Sequence, residues 1–201
     1  MSVNINVINY SLRILAANRI TSIEDESNTA QIMKDLYDIT RDAMLEEAEW
    51  SFATKRFKPA MKTEAPEWGW SAAFPIPSDI IRVLEVDRND YKDNMERSPV
   101  PHEVEGRDIL CDRDTIYCKG IRRMEAEGDY SPLFNQAFAL QLALVACLTI
   151  KASNTSLQLI GQMYDATMKK AKSRDGMQSS TRRMRNRSVQ RARSGGRISG
   201  L

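Results

Sequence analysis

The sequence predicts an α+β protein that is mainly a bundle of four helices, with a β-rich insertion and an extended basic C-terminal arm. Three observations predict this class. Apolar residues recur with helical spacing near both ends of the body, alternating residues and turn signals fill its middle, and arginines crowd the end of the chain. We therefore assign 1–48 and 129–175 to a helical body, 49–128 to the insertion and 176–201 to the arm.

Two helices are predicted before the insertion. The first is expected within 4–17, where apolar residues are spaced for one helix face: Ile8, Leu12 and Leu15. Ser27 is placed to cap a second helix over 28–48. The inner face of that helix is expected to hold Ile32, Met33, Leu36, Met44 and Leu45. Lys34 and Arg41 are expected to face water, as charged residues on the opposite side of an amphipathic helix do.

The insertion is predicted from short runs with a two-residue period. Strands are expected at 50–52, 55–58, 80–86 and 120–124. The Trp- and Pro-rich segment 66–70 is expected to be a loop, and 74–79 follows it. Two further runs, 108–111 and 115–118, flank Asp-Arg-Asp and predict a β-hairpin that brings Cys111 and Cys118 near each other.

Two more helices are predicted after the insertion. Ser131-Pro132 is a cap followed by proline at the first helical position. The following run to Ile150 is apolar nearly all round, which indicates the central helix of the body rather than a membrane span, because it contains proline, asparagine and glutamine. A fourth helix is expected over 156–175, ended by Gly176. Its apolar stripe is expected to be Leu157, Ile160, Tyr164, Thr167 or Met168, and Ala171.

The charge is divided unevenly along the chain. From Lys172 to the end there are nine basic residues and one acid, Asp175, so this part carries about +8. The net charge of the whole chain is +2, so the preceding residues carry about −6. A basic segment with almost no aliphatic content predicts a disordered arm that binds an acidic partner.

The sequence gives little support to an enzyme. It contains none of the phosphate-binding, nucleophile-elbow or zinc-protease motifs, and His102 is its one histidine. The three cysteines have no metal-ligand spacing, which favours structural thiols. We expect no catalytic residue, metal or cofactor. A hydrolase with paired carboxylates stays open, since such acids need only be close in space.

Several segments, taken in order, resemble one known family. They are ILAA at 14–17, ITSIEDE at 20–26, EWSFA at 49–53, WGW at 68–70, FPIPSDIIRVL at 74–84, DILCDRDTIYCKGIRRM at 108–124 and YSPLFNQAFA at 130–139. Together they resemble the tail tubular protein A family, the head-to-tail adaptors of short-tailed bacteriophages, over about 8–175. The sequence departs from the expected pattern at Asn18-Arg19, where Gly-Glu and prolines are expected, and in the arginine content of the arm.

The resemblance implies a structural virion protein without enzymatic activity. Proteins of this family form a dodecameric ring that joins the portal to the tail nozzle and encloses part of the channel for genomic DNA. Their helical part contacts the portal and their β part faces the nozzle. The expected location is the head–tail interface of the virion, after synthesis in the host cytoplasm.

The arm is the expected portal-binding element. Its candidate residues are Arg182, Arg183, Arg185, Arg187, Arg191 and Arg193, whose planar groups bind carboxylates with two hydrogen bonds. Two alternatives remain at this stage. The arm could instead neutralise nucleic-acid phosphates, although no aromatic residue for base stacking follows Tyr164. The chain could also be another kind of head-completion connector.

Overall fold

In a computed structural model, the described part of the chain forms four α-helices and two three-stranded antiparallel sheets. The structure describes residues 4–88, 99–124, 127–150 and 154–178. This mixture is compatible with an α+β class. The predicted bundle of four helices, however, is wrong, because the second helix also packs against one of the sheets.

The helices begin where the sequence places caps. They are α1 (Ile5–Ile14), α2 (Asn28–Glu47), α3 (Pro132–Ile150) and α4 (Asn154–Gln178). The Ser27 side chain accepts a hydrogen bond from the Ala30 amide, and the Ser131 hydroxyl accepts one from the Phe134 amide. Each satisfies an amide that lacks a partner within the helix, which confirms the predicted starts of α2 and α3.

Helix α1 ends in a left-handed turn at Ala16, whose φ is +55°. The Ala17 amide donates to the Leu12 carbonyl and the Ala16 amide donates to the Arg13 carbonyl. This is the hydrogen-bond pattern of a Schellman motif, in which glycine usually takes the left-handed position. The following loop is held by Asn9, which exchanges two 3.0 Å side-chain hydrogen bonds with the backbone of Ile20.

The strands form two separate sheets. They are β1 (Thr54–Phe57), β2 (Ala72–Pro75), β3 (Ile80–Asp87), β4 (Glu103–Glu105), β5 (Asp108–Cys111) and β6 (Tyr117–Arg122). The inner sheet has the order β1-β6-β3 and the outer sheet the order β2-β5-β4. A short 3-10 turn, Glu127–Asp129, leads into α3.

The predicted hairpin of 108–111 with 115–118 is wrong. Strand β5 pairs with β2 and β4, whereas β6 pairs with β1 and β3, so the chain crosses from one sheet to the other between them. The turn residue Asp112 accepts a hydrogen bond from the Ser71 amide, which ties it to the start of β2 instead. Cys111 and Cys118 nevertheless lie in one apolar cluster, because their strands face each other across the two sheets.

Two other strand assignments also differ from the structure. Residues 50–52 form a turn, because Trp50 is buried among the helices and its Nε1 donates to the Met44 carbonyl at 2.8 Å. The predicted loop 66–70 lies outside the strands, whereas β2 and β4 were not predicted. The expected strand at 80–86 is confirmed as β3, while 120–124 belongs in part to β6.

Helix α3 is a hub rather than one member of a bundle. It contacts α1, α2 and α4, whereas α2 also packs against β3 and β6 of the inner sheet. The physical reason is the apolar character of α3 on nearly all sides, which lets several elements bury their apolar faces against it. Among the described residues, one core is shared by the helices and Ile121 of β6, and a second lies between the two sheets.

Some predicted faces are confirmed and others are wrong. Ile8, Leu12, Met33 and Met44 are buried, as expected. Arg41 does not face water but is only 5% exposed.

Helix α4 does not end at Gly176 but continues to Gln178, so the first residues assigned to the arm are helical. Its stripe is buried at Ile160, Met168 and Ala171.

Candidate interaction surfaces

The six arginines predicted to bind the portal lie outside the described residues: Arg182, Arg183, Arg185, Arg187, Arg191 and Arg193. What the structure does describe is the place where the arm begins. Helix α4 ends at Gln178, and one turn earlier Asp175 binds the start of the β region.

Asp175 fixes the C-terminal end of α4. Its carboxylate accepts hydrogen bonds from the Ser51 amide at 2.9 Å and from the Ser51 hydroxyl at 2.6 Å. Asp175 is 9% exposed, so these bonds replace the water that a carboxylate needs. The basic segment therefore leaves the body at a defined point, beside the junction of helices and inner sheet. The only signal for this contact in the sequence is an isolated acid among basic residues.

A second polar contact holds α4 against α2. Glu47, on the last turn of α2, accepts hydrogen bonds from the Tyr164 hydroxyl at 2.9 Å and from the Lys172 ammonium at 2.8 Å. Burial and the hydrogen bond to Glu47 raise the pKa of Tyr164 above its ordinary value. The phenol therefore keeps its proton and remains a donor to Glu47 at neutral pH.

Exposed apolar side chains occur on the C-terminal half of α3 and the N-terminal half of α4, and we call them together the helical-tip surface. It consists of Val145 and Leu148 on α3 and Leu159 and Met163 on α4, with Leu148 62% and Leu159 59% exposed. Leu148 belongs to the apolar run that the sequence assigns to the central helix of the body. The structure buries Leu142, Ala143 and Ala146 instead, because α1 and α2 pack on that side of α3.

The outer sheet presents a different surface, centred on Trp68, which is 85% exposed. We call Glu67, Trp68, Trp70 and Glu103 the Trp68 surface. The Trp70 indole donates to the Glu103 carboxylate at 2.9 Å, which ties the loop to strand β4. Gly69, between the two tryptophans, has φ +85°, a left-handed conformation that glycine adopts without strain. The sequence predicted a loop here, and WGW at 68–70 is also one of the segments on which the family resemblance depends.

The described residues offer little to an enzyme mechanism. They contain no group of three or more His, Cys, Asp or Glu side chains that could hold a metal ion. Burial, and after it the neighbouring Cys111, raise the pKa of Cys118 to about 12, so this thiol is not a ready nucleophile. His102 lies 2.8 Å from the Val100 carbonyl through its Nδ1 and has no acidic partner in that contact.

Comparison with protein-family models gives no match, and comparison with curated proteins gives none either. We therefore infer the function from the residues and surfaces of this chain.

Proposed function

We propose that this protein is a structural subunit of a head-to-tail adaptor ring, which joins the portal to the tail nozzle in a short-tailed bacteriophage virion. The observation that carries the proposal is the helical-tip surface, with its four exposed apolar side chains on two adjacent helices. Val145 and Leu148 are three residues apart and Leu159 and Met163 four apart, so each pair lies on one face of its helix. Grouped exposed apolar residues are characteristic of surfaces that bind another protein. In a ring, each copy covers such a surface with a different face of the next copy.

The order of the elements supports the same proposal. Two helices, a β region and two further helices follow one another in the order that the resemblance implies. The helices and the outer sheet lie on opposite sides of the inner sheet, since the two cores occupy its two faces. This separation suits an adaptor that contacts the portal with one side and the nozzle with the other.

The charge distribution supports an acidic partner for the arm. Residues 179–201 contain seven arginines and no acid, and they follow the helix that Asp175 anchors. An acidic groove on the portal would bind such a segment through charge-assisted hydrogen bonds. The body carries the compensating negative charge, and acids lining a channel would repel the phosphates of passing DNA.

Charged substitutions in the helical-tip surface test the proposal. Leu148→Glu and Leu159→Glu should leave the melting temperature nearly unchanged, because both side chains are largely exposed. Ring formation on the portal of the same virus, seen by negative-stain electron microscopy, should be lost, since a charge would have to be buried at each contact. Met61→Glu, at a half-exposed apolar residue outside this surface, is the matched control. Complete rings formed by both variants would refute the proposal.

Nucleic-acid binding remains a second candidate because of the seven arginines alone. It predicts binding to duplex DNA that weakens steeply with salt and is lost when 179–201 are removed. The adaptor proposal predicts portal binding that survives competition by DNA. Negative-stain images with portals of other tail types would separate the short-tailed adaptor from a different connector.

A further inference from the structure

The exposure of Trp68 is unusual for the largest amphipathic side chain. Tryptophan buries well and is enriched at the centres of protein interfaces. Here the indole is 85% exposed, although its neighbour Trp70 packs against the core between the sheets. The loop is nevertheless fixed, by the Trp70–Glu103 bond and by the hydrogen bond from the Ser71 amide to Asp112 at 3.0 Å. A loop that is fixed by hydrogen bonds and presents an aromatic ring to solvent is suited to binding a partner.

The charges around Trp68 restrict the chemistry of that partner. Residues 60–76 and 101–115, which form the outer sheet and its loops, contain seven acidic and three basic residues. Two of the bases are already engaged, since Lys62 pairs with Asp108 at 2.6 Å and Arg107 donates to the carbonyls of Ile80 and Pro77. Glu67, Glu103 and Glu105 are exposed. An aromatic face among carboxylates fits a cationic ligand and repels a nucleic acid.

Arginine satisfies both features of this surface. Its planar group stacks on an indole and also forms paired hydrogen bonds with a carboxylate. The same chain contains a segment rich in this residue, because 179–201 hold seven arginines without an acid. We propose that residues 179–201 bind the Trp68 surface of their own chain.

The length of the segment permits this contact. It starts beside Ser51, where Asp175 anchors α4, and its 23 residues span at most about 75 Å. A body of this size has a radius of gyration of about 16 Å, so every point of its surface is within reach. Tethering gives the segment a local concentration of about a millimolar, which lets even a weak contact form within one chain.

The inference does not rest on the adaptor proposal, because it concerns the free protein. A portal groove would have to displace the arm from the Trp68 surface. The arm would therefore stay bound to its own chain until the portal is present. Peptide binding and portal binding can fail separately, which keeps the two proposals distinguishable.

The test measures binding of a fluorescent peptide of residues 179–201 by anisotropy. The acceptor is the full chain with glutamine in place of Arg182, Arg183, Arg185, Arg187, Arg191 and Arg193. This acceptor should bind the peptide, whereas the unaltered chain should bind it more weakly, because its own segment occupies the surface. Adding Trp68→Ala to the acceptor should lower the affinity at least two- to fivefold, by the usual strength of a cation–π contact.

Three controls make the outcome decisive. Trp68→Phe keeps an aromatic face and should retain most of the binding, while Glu67→Gln should weaken it. Met61→Ala changes an exposed apolar residue outside the surface and should have no effect. Circular dichroism checks that every acceptor is folded. Equal affinity of the acceptor with and without Trp68 would overturn the proposed site, and equal affinity of acceptor and unaltered chain would overturn occupation by the chain's own segment.

Discussion

Arg41 is held between two carboxylates of its own helix. Its guanidinium lies 2.8 Å from Asp38 and 3.0 Å from Asp42, and Asp42 also binds Arg123 at 2.8 Å. Burial by itself would lower the pKa of Arg41, but the charge of Asp42 and its hydrogen bond raise it overall, so the charged form is favoured. The cluster thus joins α2 to the chain just after β6 with each charge paired.

Replacing Arg41 by methionine should therefore lower the free energy of unfolding by about 2 kcal/mol, since Asp38 and Asp42 lose charged hydrogen bonds in a partly buried site. Urea unfolding at neutral pH measures the change. Lys34→Met is the control, because Lys34 pairs with Glu24 in the open and should contribute no more than about 1 kcal/mol. Equal effects of the two substitutions would show that the buried cluster adds no more stability than an exposed ion pair.

The buried thiol of Cys118 makes the free energy of unfolding depend on pH in the alkaline range. Its pKa is raised by burial to about 12 in the folded protein, from an ordinary value of 9.0. A group with a raised folded pKa stabilises the fold fully below its unfolded pKa, and the stabilisation is lost as pH rises from 9.0 toward about 12.

Urea unfolding across this window should show the loss, with Cys118 contributing a slope of up to about 1.4 kcal/mol per pH unit. Cys118→Ala should have a shallower decline, although not a flat one, because Tyr164 shifts in the same direction. The comparison uses slopes, so the packing lost in the variant does not affect it. If the free energy of unfolding fell with the same slope in Cys118→Ala and in the unaltered protein, the pH dependence could not be assigned to Cys118.

At the scale of elements, the sequence predicted the features that depend on residues close together in the chain. The caps at Ser27 and Ser131 act within one turn, and both helices begin there. Strand partners depend on contacts between distant residues, so 108–111 and 115–118 were assigned to each other although each pairs elsewhere. Arg41 was misplaced because α2 also packs against β3 and β6, which the spacing of residues within one helix does not report.

Gly120 lies in β6, the central strand of the inner sheet, where neighbouring backbone leaves no room for a side chain. A Cβ there would lie 2.8 Å from the Arg82 carbonyl oxygen and 2.9 Å from the Ile80 Cγ2. Gly120→Ala should therefore lower the free energy of unfolding by about 1–3 kcal/mol. One register shift of β3 lies between Ile80 and Arg82, the two residues whose atoms the added Cβ would meet most closely.

Gly161→Ala is the matched control within α4. Its Cβ would meet the Leu144 Cδ1 at 3.9 Å, an ordinary contact, and alanine favours the helix. This variant should be more stable by about 0.5–1 kcal/mol. Thermal and urea unfolding of the two variants should thus shift in opposite directions. If the Gly120→Ala protein were as stable as the unaltered chain, the backbone around Gly120 would have room for a Cβ, contrary to the distances above.

At the scale of the whole molecule, the three interaction features are spatially separated. The helical-tip surface lies on α3 and α4, the arm begins at the junction of helices and inner sheet, and Trp68 lies on the outer sheet. The sequence predicted the arm from its charge. It could not predict the helical-tip surface, because an apolar residue on α3 is core or surface according to which neighbours cover it.

The proposed role of the arm is tested by truncation after Gln178, since removing 176–201 would also cut the last turn of α4 beside Asp175. The truncated protein should keep its melting temperature nearly unchanged, because both described cores are formed without residues 179–201. Portal binding should fall more than about tenfold, as loss of four or more exposed ion pairs of roughly 0.5 kcal/mol each implies. Glutamate at Arg182, Arg183, Arg185 and Arg187 should weaken binding nearly as much, and lysine less, because lysine keeps the charge without the paired hydrogen bonds. Full portal binding by the truncated protein would assign docking to the helical surfaces alone.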